Sequence, residues 1–501
     1  MAQTSARRGP RTTLVDSRGV QLERLIAALA PREVMRGAPA EIRDLVYDAR
    51  RATRGSLFFC VPGLRSDGHD FAAAAVDRGA VALVVERPLE LDVPQLVVDD
   101  ARAAMAVAAV AFFGDPTRDL LVAGVTGTNG KTTTAYLLDG ILEAAGLRPA
   151  LLTTIESRVG GESRPSIRTT AEAIDLQRTF EAMLSAGHRS CAMEATSHGS
   201  ELKRLDGTSF SCLVFTNLTQ DHLDFHGTLE KYFDAKRRLF VEGDRPPAAV
   251  NVGNEHGRRL ADELRALGQR RLLTFGFSDD ADVRAERVEL GRLDSRFVAA
   301  GVELRTSLLG RFNVENALGA VAAARLLDVQ DAEIAAGIGS VRGVPGRFEP
   351  VDEGQPFAVV VDYAHTPDSL ENVLRAARDV VEGRVLCVFG CGGDRDRGKR
   401  PQMGRIASEL ADSAFVTSDN PRDEDPEAII AAILAGAADE LEVEPDRRRA
   451  IGRAVEMARP GDIVVIAGKG HEQGQEIEGR IVPFDDRDEA RKAIRRLAAR
   501  A

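Results

Sequence analysis

Residues 122–142 read VAGVTGTNGKTTTAYLLDGIL, and this stretch decides the fold class. Its apolar beginning predicts a strand, the glycines of GTNG predict a tight turn, and KTTTAYLLDGIL predicts a helix. Backbone N–H groups of such a turn, together with the positive end of the new helix, form a site for a phosphate group. The stretch therefore predicts an α/β domain that binds a nucleoside triphosphate.

The turn departs from the strict G-x-x-x-x-G-K-[ST] pattern, since Val125 stands where the first glycine belongs and Gly127 supplies the turn instead. Gly127 and Gly130 let the backbone close on a phosphate, Lys131 can reach the outer phosphates, and Thr132 can ligate Mg²⁺. The alternative is a glycine-rich connection with a chance lysine. The order of strand, turn and helix favours the nucleotide site.

Length and composition bound the class of protein. A chain of 501 residues is expected to form two to four domains, and a net charge of −11 argues against a general nucleic-acid or anionic-membrane surface. The five scattered cysteines contain no C-x-x-C pair and indicate reduced, buried thiols. No apolar segment of a signal peptide follows the basic N-terminus, and no run approaches the length of a membrane helix. We expect a cytoplasmic protein with a disordered tail over residues 1–15.

Short β-branched runs alternate with helical patterns along the chain, which is typical of parallel α/β domains. Segments rich in proline and glycine mark the boundaries of three predicted domains, over residues 16–118, 119–345 and 346–501. Ligands of open parallel sheets lie beyond the carboxyl ends of the strands. In the third domain those ends carry the densest polar residues, at 362–365, 392–397, 419–422 and 468–472.

A second group of polar residues follows two further strands of the middle domain. Glu194 stands at the end of one predicted strand, and the segment QDHLDFHG, with Asp221, His222, Asp224 and His226, follows another. The two segments could converge beside the phosphate loop and supply ligands for Mg²⁺. A zinc site built on the two histidines is disfavoured by the flanking acids, and each histidine alone could be structural.

Lys236 lies in EKYFDAKRRLF, which reads as an amphipathic helix. The plain interpretation of such a lysine is an apolar stem that carries its ammonium out to solvent.

The motifs taken together resemble one family. GTNGKTTT, MEATSHG, NLTQDHLDFHG, YFDAKRRLF, LLGRFNVENALGA, GVPGRFE, VDYAHTPDSLENVL, FGCGGDRDRGKRP, SDNPR and AGKGHE occur in the order found in the Mur ligases, and the chain is most similar to their tripeptide synthetases over about residues 40–490. The resemblance implies a small N-terminal α/β UDP-substrate domain, a central P-loop ATPase domain with a parallel sheet and a C-terminal Rossmann-like α/β domain. It also implies a cytoplasmic ligase of peptidoglycan precursor synthesis, in which ATP phosphorylates a carboxylate and an amine attacks the acyl phosphate.

The resemblance assigns roles in ATP and metal binding. It implies that the ATP phosphates are held by Gly127, Thr128, Asn129, Gly130, Lys131, Thr132 and Thr133, with Asn313 at the adenine, Arg347 at a phosphate and Asp362 at the ribose. It implies Mg²⁺ bound by Thr132 and Glu194, a second Mg²⁺ at His222, and a carbamylated Lys236. A carbamate turns a cation into an anion that can bind metal, and the lysine must first lose its proton, which burial favours.

The resemblance also assigns a site for UDP-N-acetylmuramoyl-L-alanyl-D-glutamate. The residues implied are Tyr47, Ala49, Leu64, Arg65, Ser66, Thr169, Thr170, Thr196, Leu202 and Arg204. Two of them depart from the pattern, since Ala49 replaces a serine of D-S-R that contacts the nucleotide and Leu202 stands where some members have glutamine.

The stretch SDNPR matches the loop that selects the amino acid, and its arginine is typical of the members that add meso-diaminopimelate. Arg422 would grip the distal carboxylate with two parallel hydrogen bonds, which lysine or a neutral residue cannot match. The resemblance implies further contacts from Arg395 at the other carboxylate, Asp419, Asn420 and Glu472 near the distal amine, the Gly468 backbone, and Pro421, which shapes the turn. The plain alternative is a solvated acidic turn.

Three other functions are considered. The same ligase could add L-lysine, or the chain could be a folylpolyglutamate synthetase, although SDGHDF in the first domain speaks against the latter. A nucleotide-sensing module without chemistry would not need Glu194, His222 and Lys236 together. We expect a monomer whose partners are small molecules, namely ATP, the UDP-substrate and the amino acid, with no nucleic acid and no membrane insertion.

Overall fold

The computed structural model describes residues 19–63, 66–291 and 293–499. The predicted disordered tail, residues 1–15, lies outside this range, and the predicted domain borders at residues 118 and 345 stay predictions. Residue contacts divide the chain into two compact units, Met1–Ala123 with Leu147–Ser211, and Gly124–Gly146 with Cys212–Ala501. Strand Leu121–Thr126 leads along the chain from the first unit into the second.

The N-terminal part of the first unit is built on a five-stranded sheet. Its strands, in spatial order, are Glu33–Met35, Gln95–Val97, Ala80–Val85, Ser56–Phe59 and Asp44–Val46. The edge strand Glu33–Met35 is antiparallel to its neighbour, and the other pairs are parallel. Leu57 and Phe59 face one apolar cluster while Phe58 and Cys60 face another, so both sides of the sheet are covered.

The rest of the first unit adds further strands and helices. Strand Pro149–Leu152 pairs in parallel with Ser190–Glu194, and it continues into the antiparallel hairpin Glu156–Val159 and Glu162–Pro165. The helices are Leu22–Leu29, Ala72–Asp77, Ala101–Phe113, Ala173–Ser185 and Ser197–Glu201, with 3₁₀ turns at Ala49–Arg51, Gly68–Phe71 and Pro116–Arg118. Two further short strands, Val20–Gln21 and Glu41–Ile42, pair with each other in antiparallel orientation.

The second unit begins with the phosphate-loop helix Lys131–Ala144 and a parallel array of strands. The array runs in the order Cys212–Phe215, Ala248–Asn251, Leu272–Gly276 and Val283–Leu290, followed by the antiparallel strands Ser295–Ala299 and Val302–Thr306. Its helices are Leu223–His226, Leu229–Val241, Glu255–Ala266, Arg311–Leu326 and Asp331–Ser340.

The C-terminal part of the second unit is a six-stranded sheet. Its spatial order is Glu349–Pro350, Ala358–Asp362, Ile463–Ala467, Val385–Phe389, Ser413–Val416 and Glu442–Val443, and every pair is parallel except the first. The flanking helices are Pro367–Val380, Lys399–Leu410, Pro426–Leu434, Arg447–Met457 and Asp486–Ala498, and the hairpin Gly474–Ile477 and Arg480–Pro483 lies beside them. The parallel sheets confirm the predicted α/β class.

The six-stranded sheet is buried on both faces, which explains its uninterrupted apolar strands. Along Ile463–Ala467, Ile463 and Val465 join one apolar cluster while Val464 and Ile466 join the other. A strand buried on both faces reads as a continuous run of Val and Ile, because successive side chains point to opposite sides. Beyond the carboxyl ends of these strands the chain can carry polar residues. No helix within the described residues is both long enough and apolar enough to cross a membrane.

Helix Asp331–Ser340 packs closely on the phosphate-loop helix through glycine. A Cβ atom on Gly337 would lie 2.3 Å from Cα of Ile141, whereas one on Gly339 in the same helix would meet its nearest atom at 3.7 Å. We expect Gly337→Ala to lower the free energy of unfolding by about 1–3 kcal/mol, as overpacking does. Gly339→Ala is the matched control and should be neutral or stabilising by up to about 1 kcal/mol. Denaturant unfolding measures both changes, and equal stabilities of the two variants would contradict this packing.

Candidate functional site

The phosphate loop, residues 127–130, follows strand Leu121–Thr126 and ends where helix Lys131–Ala144 begins, as predicted. Gly127 and Gly130 have φ of 149° and 85°. A Cβ atom would lie 1.9 Å from Thr216 Oγ1 at Gly127 and 2.2 Å from Asn316 Oδ1 at Gly130. Only glycine fits at either position, because a side chain would collide with the residues that surround the loop.

The loop is held in shape by the segment that follows strand Cys212–Phe215. Backbone N–H groups of Thr128 and Asn129 donate to the main-chain oxygen and to Oδ1 of Asn217, both at 2.9 Å. Thr216 Oγ1 donates to the Asn129 carbonyl at 2.6 Å. This support, which the sequence motif did not reveal, arranges the loop before any nucleotide arrives.

Two lysine amines meet at one carbonyl oxygen of the loop. Lys131 Nζ donates to the carbonyls of Gly127 at 3.1 Å and Thr128 at 2.7 Å, and Lys236 Nζ donates to the Gly127 carbonyl at 2.7 Å. Lys236 is only 1% exposed, and its amine lies 4.4 Å from the centre of the Tyr232 ring. The plain interpretation of Lys236, an ammonium that reaches solvent, is therefore wrong.

Burial, reinforced by the nearby Lys131 charge, holds the pKa of Lys236 well below the usual value for lysine. A neutral amine is the form that reacts with carbon dioxide, so the surroundings of Lys236 meet the chemical condition for a carbamate. Helix Leu229–Val241 holds Lys236 in this place, because Tyr232, Phe233 and Phe240 of the same helix are buried together with it.

Thr132 and Thr133 are buried in the first turn of the phosphate-loop helix. Arg347 Nη2 donates to Thr132 Oγ1 at 3.1 Å, and its guanidinium lies 4.5 Å from the centre of the Tyr363 ring. Thr132 and Arg347, two of the residues predicted for phosphate binding, thus lie in direct contact.

His222 follows strand Cys212–Phe215 and precedes the short helix Leu223–His226. Its Nε2 lies 3.4 Å from Oδ2 of the buried Asp221, and His365 Nε2 lies 3.8 Å from the same oxygen. Burial would raise the pKa of Asp221, but the two neighbouring histidines, His365 and His222, lower it well below its usual range. Asp221 is therefore an anion between two imidazoles.

His226 differs from His222 in its surroundings. It is buried, and its ring lies 5.1 Å from the Tyr232 ring, which fits the structural alternative. Over the described ranges, no group of three or more His, Cys, Asp or Glu side chains is arranged to hold a metal ion.

The residues predicted at the adenosine end are buried and hydrogen-bonded. Asn313 Nδ2 donates to the Leu309 carbonyl at 2.8 Å, and its Oδ1 accepts from Asn316 at 3.1 Å. Asp362 Oδ2 accepts from the backbone N–H of Phe348 at 2.6 Å. Burial raises the pKa of Asp362, although the Arg347 charge opposes the rise.

One further contact joins the phosphate loop to helix Pro367–Val380. Asn129 Nδ2 donates to Asp368 Oδ2 at 2.6 Å, and burial raises the pKa of Asp368 in spite of this bond. Pro367 and Asp368 form the first turn of the helix, which Thr366 and Ser369 close with a capping box. The sequence gave no local signal for this pair, because 239 positions separate its members.

The amino-acid loop, residues 419–422, follows strand Ser413–Val416. Asp419, Asn420 and Pro421 are buried, so the alternative of a solvated acidic turn is wrong. Arg422 has φ of 53°, and its Nε donates to Glu476 Oε2 at 3.0 Å while Nη1 donates to the Gly393 carbonyl at 2.7 Å. The guanidinium is thus already aimed at a carboxylate, that of Glu476.

Charged groups are buried behind this loop. Arg447 and Asp486 are fully buried and paired at 2.7 Å, and Arg447 Nη1 lies 3.9 Å from Asp419 Oδ2. Both of these last two atoms are buried without a hydrogen-bond partner in the described part of the chain. A Cβ on Gly468 would lie 2.5 Å from Asp419 Oδ2, so the Gly468 backbone lies close to Asp419, and its approach to the amino acid stays a prediction.

Two other residues predicted for amino-acid binding differ in exposure. Glu472 Oε2 accepts from Asn420 Nδ2 at 2.8 Å, which brings two predicted residues into contact. Arg395 is exposed, and its Nη1 donates to the carbonyl of its neighbour Asp394 at 2.9 Å. The structure therefore places Arg395 at the rim of this region.

In the first unit, Glu194 ends strand Ser190–Glu194, as predicted. Its Oε1 accepts from the Thr154 backbone N–H at 2.8 Å, and its carbonyl accepts from Thr170 Oγ1 at 3.1 Å. Thr196 Oγ1 donates to Thr170 Oγ1 at 2.9 Å, and the Thr169 hydroxyl shares a hydrogen bond with Thr154 at 2.9 Å. Glu194 and the three predicted threonines thus form one connected group.

Arg204 joins this group from the adjoining loop. Its Nη1 donates to the Thr170 carbonyl at 3.2 Å, and its Nη2 lies 3.0 Å from the buried carboxylate of Glu172. Arg102 and Arg168 also reach Glu172, at 3.4 Å and 2.8 Å. Three guanidinium groups around one carboxylate leave a positive excess, and the motifs did not point to Arg102 or Arg168.

The remaining predicted UDP-substrate residues are spread over the first unit. Tyr47 donates its hydroxyl to Asp175, Ala49 begins the 3₁₀ turn Ala49–Arg51, Ser66 is exposed, and Leu202 ends helix Ser197–Glu201. Leu64 and Arg65 lie outside the described residues. The roles of all these residues in substrate binding stay predictions.

Gly130→Ala tests the phosphate loop. The new Cβ would collide with Asn316 at a backbone φ that disfavours a side chain, so we expect the Kd for ATP to rise at least about tenfold. Gly146→Ala is the control, because Gly146 has φ of 70° but no atom within 4 Å of its Cβ position. Equilibrium nucleotide binding should separate the two variants, and equal losses of affinity would contradict the steric argument.

Three family models match consecutive stretches of the chain. Residues 41–119 match the Mur ligase family catalytic domain, residues 125–324 the Mur ligase middle domain, and residues 346–470 the Mur ligase glutamate ligase domain.

Curated relatives match over nearly their full length. The chain is 45% identical over 489 residues to the UDP-N-acetylmuramoyl-L-alanyl-D-glutamate--2,6-diaminopimelate ligase of Geobacillus thermodenitrificans, which covers 95% of this chain and 99% of that protein. It is 46% identical over 476 residues to the ligase of the same name from Streptomyces coelicolor, covering 91% and 93%. A solved structure titled as this ligase is 34% identical, covers 91% of this chain and 96% of its own, and superposes with a TM-score of 0.65. The chain therefore belongs to the Mur ligase family.

Proposed function

We propose that this protein is an ATP-dependent ligase that joins meso-2,6-diaminopimelate to UDP-N-acetylmuramoyl-L-alanyl-D-glutamate, with ADP and phosphate as the other products. The observation that carries the proposal is the 45% identity to a ligase named for these two substrates over 95% of the chain. The protein would act as a monomer in cytoplasmic synthesis of peptidoglycan precursors.

The reaction has two bond-forming steps. A carboxylate oxygen of the UDP-substrate attacks the γ-phosphorus of ATP, and ADP leaves. The amine of the amino acid then attacks the acyl carbon, phosphate leaves with the former carboxylate oxygen, and the nitrogen loses a proton. Phosphoryl transfer needs mainly positioning and the neutralisation of charge.

The phosphate loop supplies both requirements for the nucleotide. Lys131 now donates to two carbonyls of its own loop, and phosphate oxygens would give the ammonium stronger acceptors. Arg347 adds a second positive charge beside Thr132. Because Thr216 and Asn217 already hold the loop, little ordering is left for the moment of binding.

Mg²⁺ belongs to the proposal as the ion that neutralises charge on the transferring phosphate. The buried amine of Lys236, whose pKa is held well below its usual value, fits such a site, because in its neutral form the nitrogen can attack carbon dioxide, lose a proton and become an N-carboxylate anion. Thr132, His222 and carbamylated Lys236 would hold or orient the ion in the second unit. Glu194 stays a predicted ligand on its motif match alone.

Lys236→Ala tests this role. We expect ligation to fall about a hundredfold to a thousandfold, since loss of a charge-stabilising group in a dry site commonly costs about 2.7–4 kcal/mol of barrier. Added bicarbonate should not restore the variant, and the NMR signal of a ¹³C-carbamate should appear only in the parent. Lys231→Ala, at an exposed position of the same helix, is the control and should keep full activity. Full ligation by Lys236→Ala would contradict the assignment.

The amino-acid loop offers partners for a group that carries both charges. The distal carbon of meso-diaminopimelate bears an ammonium and a carboxylate. A ligand carboxylate would take the place of Glu476 at the Arg422 guanidinium, and Asp419, Asn420 and Glu472 bring oxygen acceptors for the ammonium. L-Lysine lacks the distal carboxylate and would leave the guanidinium without its ligand partner.

The amino-acid preference is tested by ligation assays with the UDP-substrate, ATP and a panel of amino acids. We expect meso-diaminopimelate to be ligated with a kcat/KM roughly 10⁴-fold above that of L-lysine, because a buried polar site strongly rejects an analogue that leaves its groups unpaired. Equal use of L-lysine would contradict the proposed substrate and favour the lysine-adding alternative.

In the same assay, Arg422→Ala should lower kcat/KM for meso-diaminopimelate about a hundredfold, which corresponds to about 2.7 kcal/mol, and should narrow the preference over L-lysine. Arg405→Ala serves as the control, since Arg405 is exposed on helix Lys399–Leu410 and pairs with Glu409 along its own helix. An unchanged preference in Arg422→Ala would show that another group reads the distal carboxylate.

A further inference from the structure

The segment Gly468–Gly470 connects the end of strand Ile463–Ala467 to Glu472. Gly468 and Gly470 have φ of 122° and 53°, and Cβ atoms on them would lie 2.5 Å from Asp419 Oδ2 and 2.7 Å from Tyr363 Cβ. The backbone is therefore pressed against its neighbours on both sides. Lys469 is the only residue of this segment with a side chain.

The Lys469 side chain is completely buried, which is rare for lysine. Its Nζ donates to Asn420 Oδ1 at 2.8 Å and to Glu472 Oε2 at 3.1 Å. A buried ammonium is tolerated only when it is paired and hydrogen-bonded, and these two contacts meet that need. No sequence motif had assigned Lys469 a role.

The three side chains form a closed set of hydrogen bonds. Asn420 Nδ2 donates to Glu472 Oε2 at 2.8 Å, and Asn420 Oδ1 also accepts from the Glu476 backbone N–H at 3.0 Å. Lys469 thereby fixes the orientation of the Asn420 amide. It also fixes Oε2 as the Glu472 oxygen that accepts hydrogen bonds from within the protein. The Glu472 side chain is still 32% exposed, so the carboxylate is presented to the surface in a set orientation.

The same contacts set the charge of the pocket. Lys469 offsets the charge of Glu472, and Arg422 is offset by Glu476. A zwitterionic end group, which carries no net charge, suits a pocket balanced in this way. An end group that is only cationic meets the buried Lys469 ammonium behind the Glu472 carboxylate, and it has no carboxylate of its own to offset this repulsion.

We propose that Lys469 is a specificity-determining residue, whose buried ammonium fixes Asn420 and Glu472 and favours a zwitterionic over a cationic side-chain end of the amino-acid substrate. The inference rests on the proposed function, because it concerns the choice of amino acid at that site. It adds a repulsive element against L-lysine to the attraction that Arg422 provides for a carboxylate.

Lys469→Met removes the charge and keeps the length of the side chain. We expect the ratio of kcat/KM for meso-diaminopimelate to that for L-lysine to fall at least about tenfold. Part of this change should come from a higher kcat/KM for L-lysine. ATP-dependent formation of the acyl phosphate without amino acid should stay at the parental rate. A folded Lys469→Met with an unchanged ratio would overturn the proposal.

Glu472→Gln makes the opposite change and does not disturb a fully buried side chain. It leaves the Lys469 charge without its carboxylate partner. The ratio of kcat/KM for meso-diaminopimelate to that for L-lysine should therefore rise at least about threefold, because kcat/KM falls more for L-lysine. In the double variant Lys469→Met/Glu472→Gln the ratio should return toward the parental value. If Lys469→Met does not fold, Glu472→Gln decides alone, and a ratio that stays or falls would overturn the proposal.

Lys492→Met is the matched control, since Lys492 is half-exposed on helix Asp486–Ala498 and pairs with Glu489. It should keep the parental ratio. Failure of the parent protein to ligate meso-diaminopimelate would refute the proposed function itself. A parent that prefers meso-diaminopimelate, together with Lys469 and Glu472 variants that leave the ratio unchanged, would refute only the role of Lys469.

Discussion

The carbonyl oxygen of Gly127 accepts hydrogen bonds from two lysine amines, and the arrangement of the phosphate loop depends on this convergence. One amine, on Lys131, belongs to the loop helix, and the other, on Lys236, comes from a helix about one hundred residues later in the chain. Burial, together with the repulsion between two cations at one oxygen, lowers the pKa of Lys236. The lowered pKa of Lys236 follows from its burial at this oxygen, whereas the need for glycine at position 127 comes from the close approach of Thr216.

The amino-acid loop depends on a similar constraint in the six-stranded sheet. Its strands are apolar on both faces, so polar residues lie at the strand ends, and Asp419, Gly468 and their neighbours meet at the carboxyl ends. Behind them lies the fully buried ion pair of Arg447 and Asp486. A loop backed by paired buried charges is well suited to a ligand that carries both signs of charge.

Sequence reasoning was most successful where structure is local. The strand, the glycine turn and the helix around residues 127–131 follow from nearest-neighbour patterns, and so does the parallel α/β class. The support from Asn217 and the bond from Asn129 to Asp368 were not predictable, because 88 and 239 positions separate the partners and no local periodicity records such pairs. The helix pattern alone left open whether Lys236 reaches solvent or is buried, since an amphipathic helix shows which face is buried but not how deep a long side chain at its border lies.

The central claim is that ATP activates a carboxylate of the UDP-substrate as an acyl phosphate before meso-diaminopimelate attacks. The most direct measurement uses UDP-N-acetylmuramoyl-L-alanyl-D-glutamate with ¹⁸O in its glutamyl carboxylates, unlabelled ATP and meso-diaminopimelate, followed by mass analysis of the released phosphate. Because phosphate leaves with the former carboxylate oxygen, one ¹⁸O atom is expected in each phosphate formed with ligated product. Ligated product accompanied by phosphate without ¹⁸O would contradict the account.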